Sequence, residues 1–125
     1  MPDIRKLLSI LLALAAMASS SAALAADDDW HRIAKLEVAF QVLNAADFAT
    51  TKYCMDRATC HEANPLLGSH PSTNKLFAVK AASGIVHFVV ARWLTDRDPH
   101  AARIFEIASI AIQGGVVGAN LRFAF

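Results

Sequence analysis

The sequence has no excess of charge of either sign, since 12 Lys and Arg residues stand against 11 Asp and Glu residues. Proteins that bind nucleic acid usually present a basic surface, so this balance gives no indication of such a partner. Charged residues make up only 18% of the chain and hydrophobic residues 55%, which excludes intrinsic disorder. Glycine and proline are also scarce, with 5 and 4 residues, and this favours long helices in a single domain.

The sequence motifs of common catalytic and cofactor sites are missing as well. The chain contains no GxSxG, no HExxH, no phosphate-binding loop and no dinucleotide fingerprint. We therefore expect no bound cofactor, no resident metal and a non-enzymatic accessory or interaction protein. The alternative function is a periplasm-facing protein that binds a ligand or metal, or acts as a small hydrolase, through Asp, Glu and His side chains.

Residues 1–25 have the organisation of a cleavable secretory signal peptide. Arg5 and Lys6 precede an apolar run, and Ala23 and Ala25 put small side chains at the −3 and −1 positions of a cleavage site after Ala25. The run is short for a membrane span, so an uncleaved anchor is the less favoured alternative. The sequence thus predicts one exported helical domain, residues 26–125, in the bacterial inner membrane and facing the periplasm.

Only two cysteines are present, and both lie after the first predicted helix. Cysteines this close in a loop are normally oxidised to a disulfide in the periplasm. A zinc site that adds His61 and His70 is the alternative, but the spacing matches no known finger or ribbon. The sequence therefore predicts a disulfide between Cys54 and Cys60.

Three helices are predicted, at about residues 30–51, 73–94 and 99–123. Polar residues of the first recur at steps of three and four, which puts them on one stripe of an amphipathic helix. The stripe consists of Glu37, Gln41, Asn44, Asp47 and Thr51. The second helix places Lys80, Ser83 and His87 on one seam, and the third carries Gly114 and Gly118 at the GxxxG spacing of closely packed membrane helices. The short connector between these two helices makes them antiparallel neighbours.

We expect an all-α fold, a signal peptide followed by a three-helix bundle in which helices 2 and 3 form a membrane hairpin. With helix 1 packed on its periplasmic side, the cysteine loop is periplasmic and the arginine-rich turn (Arg92, Arg97 and Arg103) is cytoplasmic, as the positive-inside rule prefers. Three membrane spans would reverse both locations. A soluble periplasmic bundle is the other alternative, since ionisable residues in mid-helix are costly in lipid. The expected partners are the lipid bilayer and a membrane protein or a second copy of the chain.

The sharpest site hypothesis is a polar cluster at the periplasmic end of the bundle, where it would bind a ligand. Its members are Asp47, Glu62, Asn64, His70, Lys80 and His87, facing Glu106, Gln113 and Asn120. Ionisable groups in an apolar bundle must pair or become neutral, and Lys80 is expected to pair with Asp47 or Glu62. The alternative is that these groups only fix helix register through hydrogen bonds. A metal site formed by Asp47, His61, Glu62, His70 and His87 is less favoured, because no metal-binding motif supports it.

Parts of the sequence match a pattern that extends from about residue 41 to residue 120. The pattern consists of Asp47 with Thr50-Thr51, then Glu62-x-Asn64-Pro65-x-Leu67-Gly68-x-His70-Pro71-Ser72, then Gly115-Val116-Val117-Gly118-x-Asn120. In these residues the chain resembles a family of small bacterial and prophage-borne proteins described as domains of unknown function. It departs from that family in having Phe48 in place of a tryptophan and only Phe77 in place of an aromatic pair. The resemblance implies a helical fold and no established activity.

Overall fold

The computed structural model describes residues 28–57 and 64–124. Within them it contains three helices and no strand: α1 (Asp28–Asp56), α2 (Thr73–Arg97) and α3 (Pro99–Ala124). The predicted all-α, three-helix architecture is therefore confirmed. The predicted signal peptide, Cys60, His61 and Glu62 lie outside the described residues.

Helix α1 is longer than the sequence analysis predicted. The predicted helix ends at about residue 51, just before polar Lys52. In the structure Lys52 pairs with Asp56 one turn later, and nothing in the intervening residues breaks the helix. Cys54 consequently lies in the last turn of α1 and is buried, instead of lying in the loop. Its pairing with Cys60 remains a prediction, because that residue is not among the described ones.

The segment before α2 forms a tight turn stabilised by Asn64. The backbone carbonyl of Asn64 accepts hydrogen bonds from the amides of Leu67 and Gly68, at 3.0 and 3.3 Å, and its side chain accepts one from the Leu66 amide at 3.0 Å. Gly68 has a φ of 79°, a conformation that side-chain-bearing residues rarely adopt. The turn leaves Leu67 buried, and Ser72 then caps α2 by accepting a hydrogen bond from the Lys75 amide at 3.2 Å.

Asp98 is the single residue between α2 and α3. Its carboxylate accepts hydrogen bonds from the amides of His100 and Ala101, each at 3.0 Å, while Pro99 occupies the first helical position, where its missing N–H costs nothing. A connection of one residue leaves the two helices no arrangement except an antiparallel hairpin.

Helix α1 lies along the full length of this hairpin. Towards α2, the side chains of Gln41 and Asn44 donate to the carbonyls of Gly84 and Lys80, at 2.8 and 2.9 Å, so α1 and α2 run antiparallel. The N-terminal end of α1 reaches the α2–α3 turn, and α1 packs more extensively against α3 than against α2. This corrects the expectation that α1 would sit at one end of the hairpin, because side chains of its polar stripe form hydrogen bonds with both other helices along their length.

The interior of the bundle is unusually polar and its surface unusually apolar. Seven polar or charged side chains are buried among the described residues: Glu37, Asn44, Asp47, Thr51, His87, Thr95 and Glu106. Large apolar side chains are exposed along both hairpin helices, among them Phe77, Ile85, Val86, Val89, Ile104, Ile107, Ile112 and Phe123. Helices α2 and α3 are each long and apolar enough to cross a membrane. So many buried polar groups beneath so much exposed apolar surface are unusual for a protein that water surrounds.

Candidate functional site

Asp47 is the centre of a hydrogen-bonded cluster that joins all three helices. The Lys80 ammonium of α2 forms an ion pair with Asp47 Oδ2, and Gln113 Nε2 of α3 donates to the same oxygen at 2.7 Å. The other oxygen, Oδ1, accepts from the Thr51 hydroxyl and from Asn120 Nδ2, each at 3.0 Å. We call these five residues the Asp47 cluster.

The Asp47 cluster is closed and satisfied. A carboxylate can accept about four hydrogen bonds, and Asp47 accepts four. Its side chain is 3% exposed and that of Lys80 is 18% exposed. A buried charge with a full set of donors and an opposite charge is a stable structural unit, so this arrangement favours the interpretation in which the cluster fixes the relative positions of the helices.

A second group of ionisable residues lies about 10 Å further along the bundle, two turns of α2 beyond Lys80. Glu37 of α1, His87 of α2 and Glu106 of α3 each place one nitrogen or carboxylate oxygen within 4.8 Å of the others, and all three are buried. His87 Nδ1 lies 2.8 Å from Glu37 Oε2. We call these three residues the Glu–His–Glu cluster.

The Glu–His–Glu cluster, unlike the Asp47 cluster, has too few donors. Both carboxylate oxygens of Glu106 and the Nε2 atom of His87 lack a hydrogen-bond partner among the described residues. Glu106 is nevertheless 0% exposed. Two buried carboxylates this close repel each other, and one imidazolium compensates a single negative charge. With both acids ionised, the cluster is therefore short of positive charge.

Neighbouring side chains hold the cluster in place. The His87 ring is stacked between Phe40 and Phe105, with centroid distances of 3.5 and 4.5 Å. Gln41 Nε2 donates to Glu37 Oε1 and also to the Gly84 carbonyl, which ties the first carboxylate to the backbone of α2. The ring and the carboxylate are thus oriented before any ligand arrives.

The structure divides the predicted polar cluster. It brings Asp47 and Lys80 together with Gln113 and Asn120, and it places His87 in the separate Glu–His–Glu cluster. Two predicted members lie elsewhere in the fold: Asn64 forms the turn before α2, and His70 is exposed with its Nδ1 atom 3.3 Å from the Ser69 hydroxyl. The predicted metal set is likewise not assembled, since Asp47, His70 and His87 lie apart.

Glu37 was absent from the predicted site, and Glu106 was expected only on the helix that faces it, although each had left a signal. Glu37 lies on the predicted polar stripe of α1, and Glu106 is the only acidic residue of α3. What the sequence could not show is that both face His87, because that depends on how far α1 extends along the hairpin. The predicted seam of α2 also changes by one residue: Ser83 is exposed, and Gly84 is buried in its place.

The two glycines of α3 at GxxxG spacing, Gly114 and Gly118, do not lie at a close contact between the described helices. Their role in packing against another membrane helix stays a prediction. The nearest side-chain atom to a Cβ placed on Gly114 is a Leu43 methyl at 3.8 Å, and none of the described atoms lies within 4 Å of one on Gly118. The close approach of helices occurs instead at Gly84, where an added Cβ would lie 2.6 Å from Gln41 Oε1. Gly118 therefore belongs to an open surface and not to the interior of the bundle.

The position of α1 along the hairpin also creates a groove of about 510 Å³ at the N-terminal ends of α1 and α3. Its lining combines basic side chains, including Arg32, His100 and Arg103, with apolar Ile33 and Ile107. Such a mixture is typical of side chains at the level of lipid headgroups.

Comparison of the chain with protein-family models, with curated proteins and with solved structures finds no significant match. The family resemblance seen in the sequence therefore stays a prediction. The pattern that carries it nevertheless has a physical basis in the fold, since Asp47, Thr51 and Asn120 are bonded to one another and Asn64 forms the turn before α2.

Proposed function

We propose that this protein is a non-enzymatic accessory protein of the bacterial inner membrane, in which all three helices cross the bilayer together. The observation that carries the proposal is the distribution of charge: every acidic or basic side chain in the middle of a helix faces the other helices. Lipid surrounds such a bundle at little cost, because the hydrocarbon contacts no charged side chain. In water the same exposed apolar surface would favour aggregation.

The spacing of basic residues along the helices supports a membrane of ordinary thickness. Each helix has one near either end of its apolar part: Lys35 and Lys52, Lys75 and Arg92, Arg103 and Arg122. At a rise of about 1.5 Å per residue the members of each pair are about 25 to 28 Å apart, close to the roughly 30 Å of a bilayer's hydrocarbon core. Long basic side chains at these depths extend to the headgroups. We call the part of the bundle between them the apolar band.

Three spans are preferred here to the two-span hairpin that the sequence suggested. Helix α1 is too polar to be recognised as a span, but Glu37 and Asp47 are both turned towards α2 and α3. Its outward face within the apolar band consists of small and apolar residues such as Ala39, Val42 and Ala46. The polar stripe thus serves as an interface between helices and not as a surface for water.

Three spans also bear on the predicted disulfide. They place the cysteine loop on the side opposite the N-terminal end of α1. After a cleaved signal peptide that loop would be cytoplasmic, a compartment in which disulfides are rare. Measuring which side of the membrane each loop occupies therefore also tests the disulfide.

The accessory role rests on the open glycine surface of α3. Gly115 and Gly118 have no described atom within 4 Å of an added Cβ, and such surfaces allow a second transmembrane helix to approach closely. We propose that a helix of a partner membrane protein packs there. The Asp47 cluster supports this role indirectly, because it keeps α3 in a fixed orientation.

Labelling of single cysteines tests the proposed topology. In a background with serine at positions 54 and 60, we would introduce H31C, S69C and D96C and add a membrane-impermeant maleimide to intact spheroplasts and to inverted vesicles. All three positions are exposed. Three spans predict that H31C and D96C react from the same side and S69C from the other.

The alternatives give different patterns in the same experiment. A two-span hairpin with α1 on one surface makes H31C and S69C react from one side and D96C from the other. A soluble bundle makes all three positions react alike and leaves the protein in the supernatant after carbonate extraction. Either pattern contradicts the proposal, and unchanged helicity of each variant serves as the control.

A further inference from the structure

We propose that Glu37, His87 and Glu106 form a binding site for a divalent transition-metal ion such as Zn²⁺. Each helix contributes one ligand, so the ion would join all three helices at one point. Imidazole and carboxylate together suit zinc and its neighbours in the first transition series. The expectation from sequence was that the protein holds no metal, because its ligands form no local motif.

Unsatisfied buried atoms are the first observation that points to an ion. Both carboxylate oxygens of Glu106 and the Nε2 atom of His87 lack partners among the described residues, and Glu106 is completely buried. Leaving such groups without a partner is costly in a protein interior. A cation at this position satisfies the carboxylate and compensates the repulsion between the two acids.

The charge of the apolar band is the second observation, and it rests on the membrane placement proposed above. The band contains three carboxylates, Glu37, Asp47 and Glu106, and a single ammonium group, Lys80. A divalent cation with neutral His87 brings the formal charge to zero.

The surroundings of the ligands resemble those of established metal sites in one further respect. Metal ligands are commonly oriented by hydrogen bonds from residues that do not touch the metal. Here Gln41 bonds Glu37 and is itself anchored to the Gly84 carbonyl, and two phenylalanine rings fix the plane of His87. The ligand atoms lie within 4.8 Å of one another. Zinc with bonds of about 2 Å would draw them together by about 1 Å.

Titration with Zn²⁺ in the presence of a chromogenic chelator tests the site. The full chain, with its N-terminus processed as in the cell, is purified in detergent without a histidine tag and stripped of metal with a chelator. It is compared with the variants E106Q and D56N, prepared in the same way. The E106Q substitution keeps shape and removes a ligand, whereas D56N removes an exposed carboxylate of α1 far from the site. We expect one Zn²⁺ per wild-type chain, at least about tenfold weaker binding by E106Q, and unchanged binding by D56N.

Uptake of less than about 0.1 equivalent by the wild type, or equal binding by E106Q and the wild type, would overturn the proposal. If E106Q fails to keep wild-type helicity, the same titration on H87Q decides the question. The absorption spectrum of bound Co²⁺ gives a second readout that needs only the wild type. A spectrum typical of nitrogen and oxygen ligands supports the site. A thiolate charge-transfer band would show that the metal binds the cysteines and would contradict the proposal. The membrane topology is measured separately, so failure of either proposal leaves the other testable.

Discussion

Asp47 and Glu37 are both acidic residues on the buried stripe of α1, but the number of donors around them differs. Asp47 accepts four hydrogen bonds, one of them from the charged Lys80. Glu37 interacts with one amide and one imidazole, and it faces a second carboxyl group, that of Glu106. The first carboxylate is thus suited to holding helices together and the second to binding a cation.

Replacing Asp47 by Asn tests the structural role of the first carboxylate. The substitution leaves the Lys80 ammonium largely buried without its counter-charge, and we expect it to lower the free energy of unfolding by about 3 kcal/mol. Reversible unfolding in detergent measures the loss.

The double variant D47N/K80Q is the matched control for that substitution. It removes both charges, so we expect it to be more stable than D47N alone. If the double variant is instead less stable than D47N by the full cost of a second lost interaction, the two residues do not act as a pair.

At the scale of the helices, the caps were readable from sequence and the contacts between helices were not. The start of α2 at Thr73, the start of α3 at Pro99 and the antiparallel hairpin follow from local signals, namely a capping serine, a proline in the first turn and a short connector. These signals act over a few residues and need no knowledge of the fold.

The pairing of polar seams depends on longer-range geometry. Periodicity placed Glu37, Asn44 and Asp47 on one face of α1, and the structure confirms that they share the buried face. Which residue of α2 or α3 each one meets depends on the axial position of α1. In the structure Asp47 meets Lys80, and Glu37 meets His87 two turns further along α2, so the predicted single cluster becomes two. The close approach within the bundle could not be located from sequence for the same reason: it lies at Gly84, where α1 crosses, and not at the GxxxG spacing of Gly118.

Leucine substitutions at these two glycines should have opposite effects. G84L places a large side chain against Gln41 and breaks its bond to the Gly84 carbonyl, so we expect a loss of about 2 to 3 kcal/mol. At Gly118 an added Cβ has no described atom within 4 Å, and leucine has a higher helix propensity than glycine. The stability of G118L should therefore be unchanged or slightly higher.

The same pair of variants tests the docking surface, because the G118L side chain blocks close approach of another helix. We expect G118L to reduce cross-linking to partner proteins in the membrane without lowering its own abundance. If G118L cross-links to partner proteins as much as the wild type does, the glycine surface has no part in the accessory role.

The cap of α3 supplies a further prediction at the scale of the helices. D98A removes the acceptor for the amides of His100 and Ala101 and should lower the free energy of unfolding by about 1 kcal/mol. D98N keeps a capping oxygen and should remain close to the wild type. Equal loss in both variants would mean that the charge of Asp98 matters more than its hydrogen bonds.

For the whole molecule, the exposed apolar surface distinguishes a membrane bundle from a soluble one. Ile112 is 69% exposed at the middle of α3. In lipid, I112K puts a charge into hydrocarbon at a cost of about 3 kcal/mol, so we expect less protein to be integrated into the membrane. In water the same change would leave stability nearly unaffected and improve solubility.

Leu66 provides the matched control for that substitution. It is 76% exposed but lies in the turn before α2, outside the apolar band. L66K should therefore leave membrane integration unchanged. Normal integration of both variants in a carbonate-extraction assay would argue that the apolar surface of α3 faces water.

The bonds of Asp47 have a consequence for the biosynthesis of the protein. Its partners Gln113 and Asn120 lie 66 and 73 residues further along the chain. When α1 leaves the ribosome, the groups of α2 and α3 that satisfy its two acids have not yet been made, and alone it is a poor substrate for lateral release from the translocon. In the proposed three-span arrangement it must wait at the insertion machinery, or be held by another factor, until the hairpin has been synthesised. Integration of this small protein is then a single late event, and a chain truncated before α3 should be left with α1 outside the bilayer.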